Sequence, residues 1–245
     1  MAHRGKRYRQ ALGTIDREHA YSPLEAVRML KDLQTSTFDE SVEAHFRLGL
    51  NVRHADEQLR GTLMLPHGTG KEARVAVFAE GEKAKEAQDA GADIVGSADL
   101  AKRVEEGFTD FDVAIATPDQ MGNVGKLGRI LGPRGLMPNP KTGTVTFDIA
   151  KAVSDAKAGK LEYRTDRGAN VHLAIGKKSF DERALVENYA AVLDEIVRAK
   201  PAAAKGRYIR QITLTSTMGP GIHVDPQRTR GIVDELEEQA EAVPA

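Results

Sequence analysis

The sequence predicts a discontinuous α+β terminal domain with an inserted α/β three-layer, Rossmann-like domain. In the middle of the chain, short apolar strands alternate with short helical stretches, as in parallel βαβ units. The flanks instead carry strands with one polar face, and each flank is too short to form a core of its own. We therefore expect residues 1–67 and 161–245 to fold together around an insertion at residues 68–160.

The first flank predicts a helix followed by a strand. Ser22 and Glu25 have the spacing of a capping box, and Pro23 occupies the first helical position. Apolar residues follow at helical spacing. In residues 42–50, apolar residues alternate with polar ones, which predicts a strand with one buried face and one wet face.

The second flank predicts three strands and one long helix. Residues 161–175 contain two strands joined at residues 166–168, and residues 208–217 alternate again. Between these strands, a second capping signal predicts a helix start at Ser179. One apolar stripe then runs along the helix until Pro201 ends it.

The middle of the chain predicts a small parallel sheet. Apolar strands and helical stretches alternate there, in the order 73–79, 82–90, 92–96, 98–107 and 111–118. Strands without a polar face are typical of sheets that are covered on both sides. The two crossings between the parts, at 67–70 and 158–160, are predicted to form a hinge.

Composition narrows the class of function. The chain has no cysteine, which excludes disulfides and indicates a reducing cytoplasm. No apolar run approaches the about 20 residues that span a bilayer, so no membrane partner is expected. The net charge is −1, but residues 231–245 carry five acids and no base, which leaves +4 on the rest of the chain. A basic surface with an acidic, solvated tail is typical of contact with a polyanion.

The glycine-rich segment, residues 128–145, is the most unusual stretch. It contains four glycines and three prolines, and no acid occurs from residue 120 to residue 147. This composition predicts a rigid loop with exposed amides beside an anionic neighbour. The cations available to bind that neighbour are Lys126, Arg129, Arg134 and Lys141. The alternative is an elaborate connection whose glycines serve only turns.

Neither of the glycine-rich stretches fits a nucleotide-binding P-loop. In the glycine-rich segment, Pro140 occupies the position of the second glycine and lacks the amide that a phosphate cradle needs. After the glycines at 67–71, Glu72 replaces the hydroxyl residue that would hold magnesium.

The last predicted strand carries a candidate RNA surface. Thr213, Thr215 and Thr217 share its polar face, and Met218 and Gly219 follow. Hydroxyls and accessible backbone groups suit the 2′-OH groups of RNA, and a methionine suits a ribose or base. An ordinary exposed strand is the alternative, which the spacing alone favours.

Two further candidates lie nearer the N-terminus. Phe38 precedes the first strand, where an exposed ring would stack on a base. A core phenylalanine is the alternative, which the spacing alone favours. A basic arm is predicted to clamp phosphates or to form a solvated terminus, and its cations are Arg4, Lys6, Arg7 and Arg9.

The sequence carries no catalytic pattern. Its seven histidines form no close helical pair suited to a metal, and no serine lies in a nucleophile elbow. We therefore predict no catalytic residue, no metal and no cofactor. Two alternatives to an RNA-binding protein are a nucleotide-dependent enzyme that uses the insertion as a cofactor domain, and a purely structural interaction protein.

Together, these residues resemble the family of ribosomal protein L-one, the first protein of the large subunit. The stretch GKLGRILGPRGLMPNPKTGTV is similar to the signature of that family almost throughout. RGKRYR, FDESVE, LPHGTGK, GADIVG, AKGRYIR and TSTMGP are similar to its further blocks. The resemblance covers about residues 1–230. It implies two domains, one formed by both termini and one inserted.

The resemblance also implies a function and partners. It implies a nonenzymatic component of the large ribosomal subunit in the cytoplasm, which binds large-subunit rRNA of the mobile side stalk beside other ribosomal components. The stalk is expected to help deacylated tRNA leave the exit site. Bacterial members of the family also repress translation of their own mRNA, so the mRNA leader is an expected partner.

The site residues that the resemblance implies lie on the terminal domain. They are Phe38, Ser41, Glu43, His172, Thr215, Thr217, Met218 and Gly219. Glu43 is expected to accept a hydrogen bond from RNA, and the cations of the glycine-rich segment are expected to face RNA or the other domain. The chain departs from the family in its near-neutral charge and in the acidic tail, residues 231–245, which is expected not to contribute to binding.

Overall fold

The computed structural model of this protein describes residues 5–228 and residue 232. These residues form a mixed α/β structure with three sheets, and they divide into two compact units. Unit 1 comprises the described residues up to Gly70 and from Tyr163 onward, and unit 2 is Lys71–Glu162. Arg4 and, apart from residue 232, the acidic tail lie outside the described residues. No helix in the described part of the chain has the length and apolar character of a membrane span.

The helices and strands follow one another in a simple order. They are α1 (Lys6–Gly13), α2 (Pro23–Asp32), β1 (Ser41–Leu48), β2 (Arg60–Met64), β3 (Val75–Phe78), α3 (Glu82–Asp89), β4 (Ile94–Gly96), α4 (Ala98–Glu105), β5 (Val113–Ala116), α5 (Met121–Lys126), α6 (Gly128–Leu131), α7 (Ile149–Lys157), β6 (Lys160–Arg164), β7 (Asn170–Lys177), α8 (Glu182–Arg198), β8 (Ile209–Ser216) and β9 (Ile222–Val224).

The main sheet of unit 1 has the strand order β7-β1-β8-β9, and each neighbouring pair is antiparallel. The alternation predicted for β1 is confirmed, because Val42, Ala44, Phe46 and Leu48 are all buried. The strand ends at Leu48, two residues earlier than the sequence predicted. Helices α2 and α8 pack against this sheet, so one face is core and the other carries polar side chains.

The start of α2 follows the prediction from sequence. The Ser22 hydroxyl accepts a hydrogen bond from the Glu25 backbone at 3.3 Å, and the Glu25 carboxylate accepts one from the Ser22 backbone at 2.9 Å. Both partners of the capping box are therefore engaged.

Replacing Ser22 with alanine should lower the free energy of unfolding by about 1 kcal/mol, because the backbone N–H of Glu25 loses its acceptor. Urea denaturation of the full chain measures this change. Ser22→Asn is the matched variant, since asparagine is as good an N-cap as serine and should restore most of the loss. An equal loss in both variants would contradict the capping role.

The predicted start of α8 at Ser179 is wrong. Asp181 is the N-cap, and its carboxylate accepts from the Glu182 backbone at 2.9 Å. Ser179 instead donates from its backbone and its hydroxyl to the carboxylate of Asp39, at 3.0 and 2.8 Å. The predicted apolar stripe of this helix is confirmed, because all four of its residues are fully buried: Leu185, Tyr189, Val192 and Ile196.

The two strands predicted at residues 161–175 are present but belong to different sheets. Strand β6 pairs with β2, and β7 pairs with β1. The connection is ordered by Asp166, whose carboxylate accepts from the backbones of Gly168 and Asn170 at 2.8 and 2.7 Å. Ala169 follows with a φ of 61°, a conformation that non-glycine residues adopt mainly in tight turns.

The sheet of unit 2 has the order β4-β3-β5 and is parallel, as the sequence predicted. All four residues of the central strand β3 are fully buried. Ala76 and Phe78 pack in one apolar cluster with residues of α4, and Val75 and Val77 pack in another with residues of α7. Both faces of this sheet are therefore covered.

The glycine-rich segment begins as a helix, so the prediction of a loop is wrong for its first four residues. Gly128–Leu131 forms α6 directly after α5. Val124, Leu127 and Leu131 have helical spacing and are fully buried in unit 2, so their burial outweighs the weak helix propensity of the neighbouring glycines. Beyond α6 the segment turns through Gly135 and Gly143, whose φ values are 73° and 72°. Helix α7, which follows, was not predicted.

Candidate nucleic-acid interface

Most of the residues that the sequence singled out in unit 1 meet where β1 begins and β8 ends. Ser41 is the first residue of β1, and Thr217 follows the last residue of β8. The Thr217 backbone donates to the Ser41 carbonyl at 3.1 Å, and the Ser41 backbone donates to the Thr217 hydroxyl at 3.1 Å. We call this group the strand-end cluster; its members are Phe38, Ser41, Thr215, Thr217, Met218 and Gly219.

Two large apolar side chains of the strand-end cluster face solvent. Phe38 and Met218 are each 55% exposed, so Phe38 is not a core residue. Large exposed apolar side chains beside polar groups are typical of surfaces that contact a partner. The loop that carries Phe38 is ordered by the Ser36 hydroxyl, which donates to the Phe38 carbonyl at 3.0 Å.

Gly219 cannot be replaced by a larger residue without a local change. A Cβ atom at this position would lie 2.4 Å from the hydroxyl oxygen of Ser216, which is far inside van der Waals contact. The Gly219 backbone donates to the Ser216 carbonyl at 3.0 Å, and the Thr215 hydroxyl lies 3.2 Å from the Gly219 carbonyl. The absence of a side chain leaves the backbone of this turn open to close approach.

The threonine hydroxyls have partners inside the protein. Thr215 donates toward the carbonyls of its own turn, Thr217 bonds with the Ser41 backbone, and Thr213 lies 3.3 Å from a ring nitrogen of His223. A hydroxyl has one proton and two lone pairs. The donors are therefore directed at protein groups, and these hydroxyls order the surface as well as line it.

Glu40 supports the strand-end cluster from below, and the sequence did not single it out. It is fully buried, and its carboxylate accepts from the Thr35 hydroxyl at 2.6 Å. Burial opposes ionisation of Glu40, but the hydroxyls of Ser216, Ser36 and Thr35 outweigh it and lower the pKa of this carboxyl. The charged carboxylate therefore joins the loop before β1 to the end of β8.

One cation at this edge was also missed. The Lys177 ammonium donates to the Ser41 hydroxyl at 3.0 Å. The signal in the sequence was the pair Lys177 and Lys178 at the end of a predicted strand. The pair drew no attention because it lies far from the basic arm.

Glu43 and His172 lie on the polar face of the sheet, next to the strand-end cluster. Glu43 is opposite Thr215 in the register of β1 and β8. His172 is opposite His45 in the register of β1 and β7, and the Nδ1 atoms of the two rings are 2.8 Å apart. The structure thus brings all of these residues to one continuous polar surface of unit 1.

The cations of the basic arm that the structure describes lie on α1. Lys6, Arg7 and Arg9 are exposed, while Ala11 of the same helix is buried. Arg4 is outside the described residues. The arm is therefore helical from Lys6 onward.

The cations of the glycine-rich region belong to unit 2. Lys126 and Arg129 are exposed on α5 and α6. Arg134 is exposed too, and its guanidinium donates to the Thr109 hydroxyl. Lys141 lies in a short turn at Pro140–Thr142, and its side chain is outside the description.

Comparison with known proteins gives the class first: the chain is similar to ribosomal proteins. The model of the "Ribosomal protein L1p/L10e family" matches residues 30–220. The chain belongs to this family. Membership of a ribosomal-protein family confirms the resemblance seen in the sequence and decides against the nucleotide-dependent enzyme.

Individual relatives match over nearly their whole length. "Large ribosomal subunit protein uL1" of Thermobifida fusca (strain YX) is 63% identical over 227 residues, which are 93% of this chain and 97% of the relative. The protein of the same name from Frankia casuarinae is 61% identical, with 95% and 98% covered. That of Nocardia farcinica is 60% identical, with 96% and 99% covered.

Proposed function

We propose that this protein is a structural component of the large ribosomal subunit and that unit 1 binds the rRNA of the mobile side stalk. The observation that carries this proposal is the strand-end cluster, in which Phe38 and Met218 stay exposed beside an ordered turn. The assembly is supported by the names of the relatives, which are large-subunit proteins.

The chemistry of the strand-end cluster suits RNA recognised by shape. The Phe38 ring stacks on an unpaired base, and Met218 packs against a ribose or a base. The open backbone at Gly219 lets a sugar approach closely, and remaining lone pairs of the threonine hydroxyls accept from 2′-OH groups. Glu43 accepts a hydrogen bond from an RNA hydroxyl or amino group.

Charge around the surface adds affinity without sequence information. Lys177 bonds with Ser41 at the edge of the strand-end cluster, so its ammonium is close to any phosphate that reaches the cluster. Arg4, Lys6, Arg7 and Arg9 attract the RNA backbone from the N-terminal arm. Because such contacts release counterions, binding should weaken as salt increases.

The domain organisation follows from the two units. We propose a discontinuous α+β domain of residues 1–67 and 161–245 that binds RNA, with a three-layer, Rossmann-like insertion at residues 68–160. The parallel sheet with an apolar cluster on each face supports this assignment of the insertion. The insertion presents its cations, Lys126, Arg129, Arg134 and Lys141, to RNA or to the other domain.

The wider roles extend the same contact. As part of the stalk, the protein assists the release of deacylated tRNA from the exit site. A leader of its own mRNA with a similar RNA fold would occupy the strand-end cluster and so allow the free protein to repress its own translation. The protein acts in the cytoplasm, within the ribosome.

Copurification tests the proposed function. The full chain is purified at low salt, its absorbance is measured at 260 and 280 nm before and after ribonuclease treatment, and the bound RNA is sequenced. We expect a ribonuclease-sensitive excess at 260 nm and a large-subunit rRNA segment as the main RNA. Protein that carries no RNA and fails to bind a large-subunit rRNA transcript would contradict the proposal.

Deleting residues 231–245 should leave the affinity for that rRNA unchanged or raise it, because the deletion removes five acids and no base. Dissociation constants of the full and shortened chains measure the effect. A full-length variant with the five acids replaced by amides separates charge from length and should behave like the deletion. A marked loss of affinity in either chain would show that the acidic tail contributes to binding.

A further inference from the structure

Three histidines cross the polar face of the unit 1 sheet along one line. His172 on β7 is opposite His45 on β1, His45 is opposite Thr213 on β8, and Thr213 is opposite His223 on β9. The His45 and His172 rings meet edge to face, with centroids 4.9 Å apart. We call these three residues the histidine row. It lies next to the rung that holds Glu43 and Thr215.

The His45–His172 contact constrains the protons of both rings. Their Nδ1 atoms are 2.8 Å apart, so one nitrogen donates and the other accepts. Two fully protonated rings would direct two N–H groups at each other. Burial and the neighbouring His172 lower the pKa of His45, and Glu43 opposes them. The pair therefore holds less positive charge near neutral pH than two separate histidines would.

The groups around the pair are few and mostly neutral. Glu43 on β1 lies 3.5 Å from Nε2 of His45, and Asp166 before β7 lies 3.5 Å from Nε2 of His172. The other charged group on this face of β1 is Arg47, which is opposite uncharged neighbours, Asn170 and Gln211.

The far side of the pair is uncharged apart from one more histidine. The residue of β8 that faces His45 is Thr213. His223 on β9 has its Nδ1 2.9 Å from the amide nitrogen of Gln211, so its ring is engaged there. The neighbours of the pair thus include two carboxylates and one arginine, and a phosphate would be the strongest anion to reach it.

We propose that the His45–His172 pair is a proton-linked contact for an RNA phosphate. This inference rests on the proposed function, because the RNA supplies the phosphate. When a phosphate oxygen lies against the pair, one imidazole nitrogen takes up a proton from the solvent and donates an N–H to that oxygen. No covalent bond to the RNA forms, and the resulting imidazolium is neutralised by the phosphate.

The sign of the pH dependence follows from the two states of His45. In the free chain its pKa is lowered, and a phosphate against the ring raises it, so the complex binds more protons than the free chain. Affinity therefore increases as the pH falls between the bound pKa and the free pKa, and it is level outside that window. One linked proton changes the affinity by at most about tenfold per pH unit.

The test uses the full chain and a transcript of the rRNA segment that copurifies with it. Dissociation constants are measured at about pH 6 and about pH 8 at equal ionic strength, and we expect binding to be about three- to tenfold tighter at the lower pH. Calorimetry in two buffers of different ionisation enthalpy counts the protons taken up on binding. His172→Gln, at an exposed position, should abolish most of the pH dependence and of the proton uptake.

A matched control separates this pair from histidine titration in general. His54 is an exposed histidine of unit 1 outside the main sheet, and His54→Gln should keep the full pH dependence. RNA binding that is equal at both pH values, or pH dependence that survives in His172→Gln, would overturn the proposal and leave the proposed function intact. A chain that binds the RNA at neither pH would overturn both.

Discussion

Replacing Phe38 with alanine should weaken binding of large-subunit rRNA by about 1–3 kcal/mol, which is about five- to 150-fold in Kd. The ring is 55% exposed and is the aromatic member of the strand-end cluster, so its loss removes base stacking and leaves the core intact. Filter binding or fluorescence titration with the copurifying rRNA segment measures the change.

Phe147 provides the matched control. It is an exposed phenylalanine too, at 58%, but it belongs to unit 2. Phe147→Ala should leave the affinity within a factor of about two, since it removes no stacking in unit 1. Met218→Ala can be paired with Met64→Ala in the same way, because both methionines are about half exposed. Equal effects within each pair would remove the special role of the strand-end cluster.

Replacing Asn188 with alanine should lower the free energy of unfolding by about 2–4 kcal/mol. The side chain is fully buried in α8 and makes three hydrogen bonds. It accepts from the His67 backbone at 3.0 Å and donates to the carbonyls of Gly68 and Ile175 at 3.0 and 2.8 Å. Alanine leaves these backbone groups without partners and leaves a cavity.

Urea denaturation of the full chain measures the loss, and hydrogen exchange locates it. Exchange in residues 66–70 should accelerate, because Asn188 holds the stretch that leads the chain out of unit 1. Asn123→Ala is the control, since Asn123 is half-buried and its amide donates to the Gln120 side chain at 3.0 Å. It should cost less than about 1 kcal/mol. A loss as small for Asn188 would contradict its structural role.

Elements with a local cause could be predicted from the sequence. The burial of alternate residues in β1 follows from period-2 hydrophobicity, and the start of α2 follows from Ser22 and Glu25, which are three residues apart. The parallel sheet of unit 2 follows from its uninterrupted apolar strands. Each of these depends on side chains within a few positions of one another.

Elements decided by distant residues could not be predicted. Ser179 has the composition of an N-cap, but Asp39, 140 positions away, takes its hydrogen bonds. In the glycine-rich segment, glycine and proline hid the helical spacing of Leu127 and Leu131, whose burial depends on the rest of unit 2.

The candidate site shows the same division. Residue types predicted the hydroxyls and the turn after β8, whereas the exposure of Phe38 depends on how its loop is held. The buried carboxylate of Glu40 holds it through Thr35, and no periodicity marks that residue. The His45–His172 pair joins positions 127 residues apart, so only strand register reveals it.

The recognition of RNA by the strand-end cluster is tested most directly by crosslinking. The full chain is irradiated in complex with the copurifying rRNA segment, digested, and analysed by mass spectrometry for peptides that carry nucleotides. We predict crosslinks in the peptides that contain Phe38 and residues 215–219, and their loss under competing unlabelled rRNA. Crosslinks confined to unit 2, with both of these peptides unmodified, would contradict the assignment of the RNA surface.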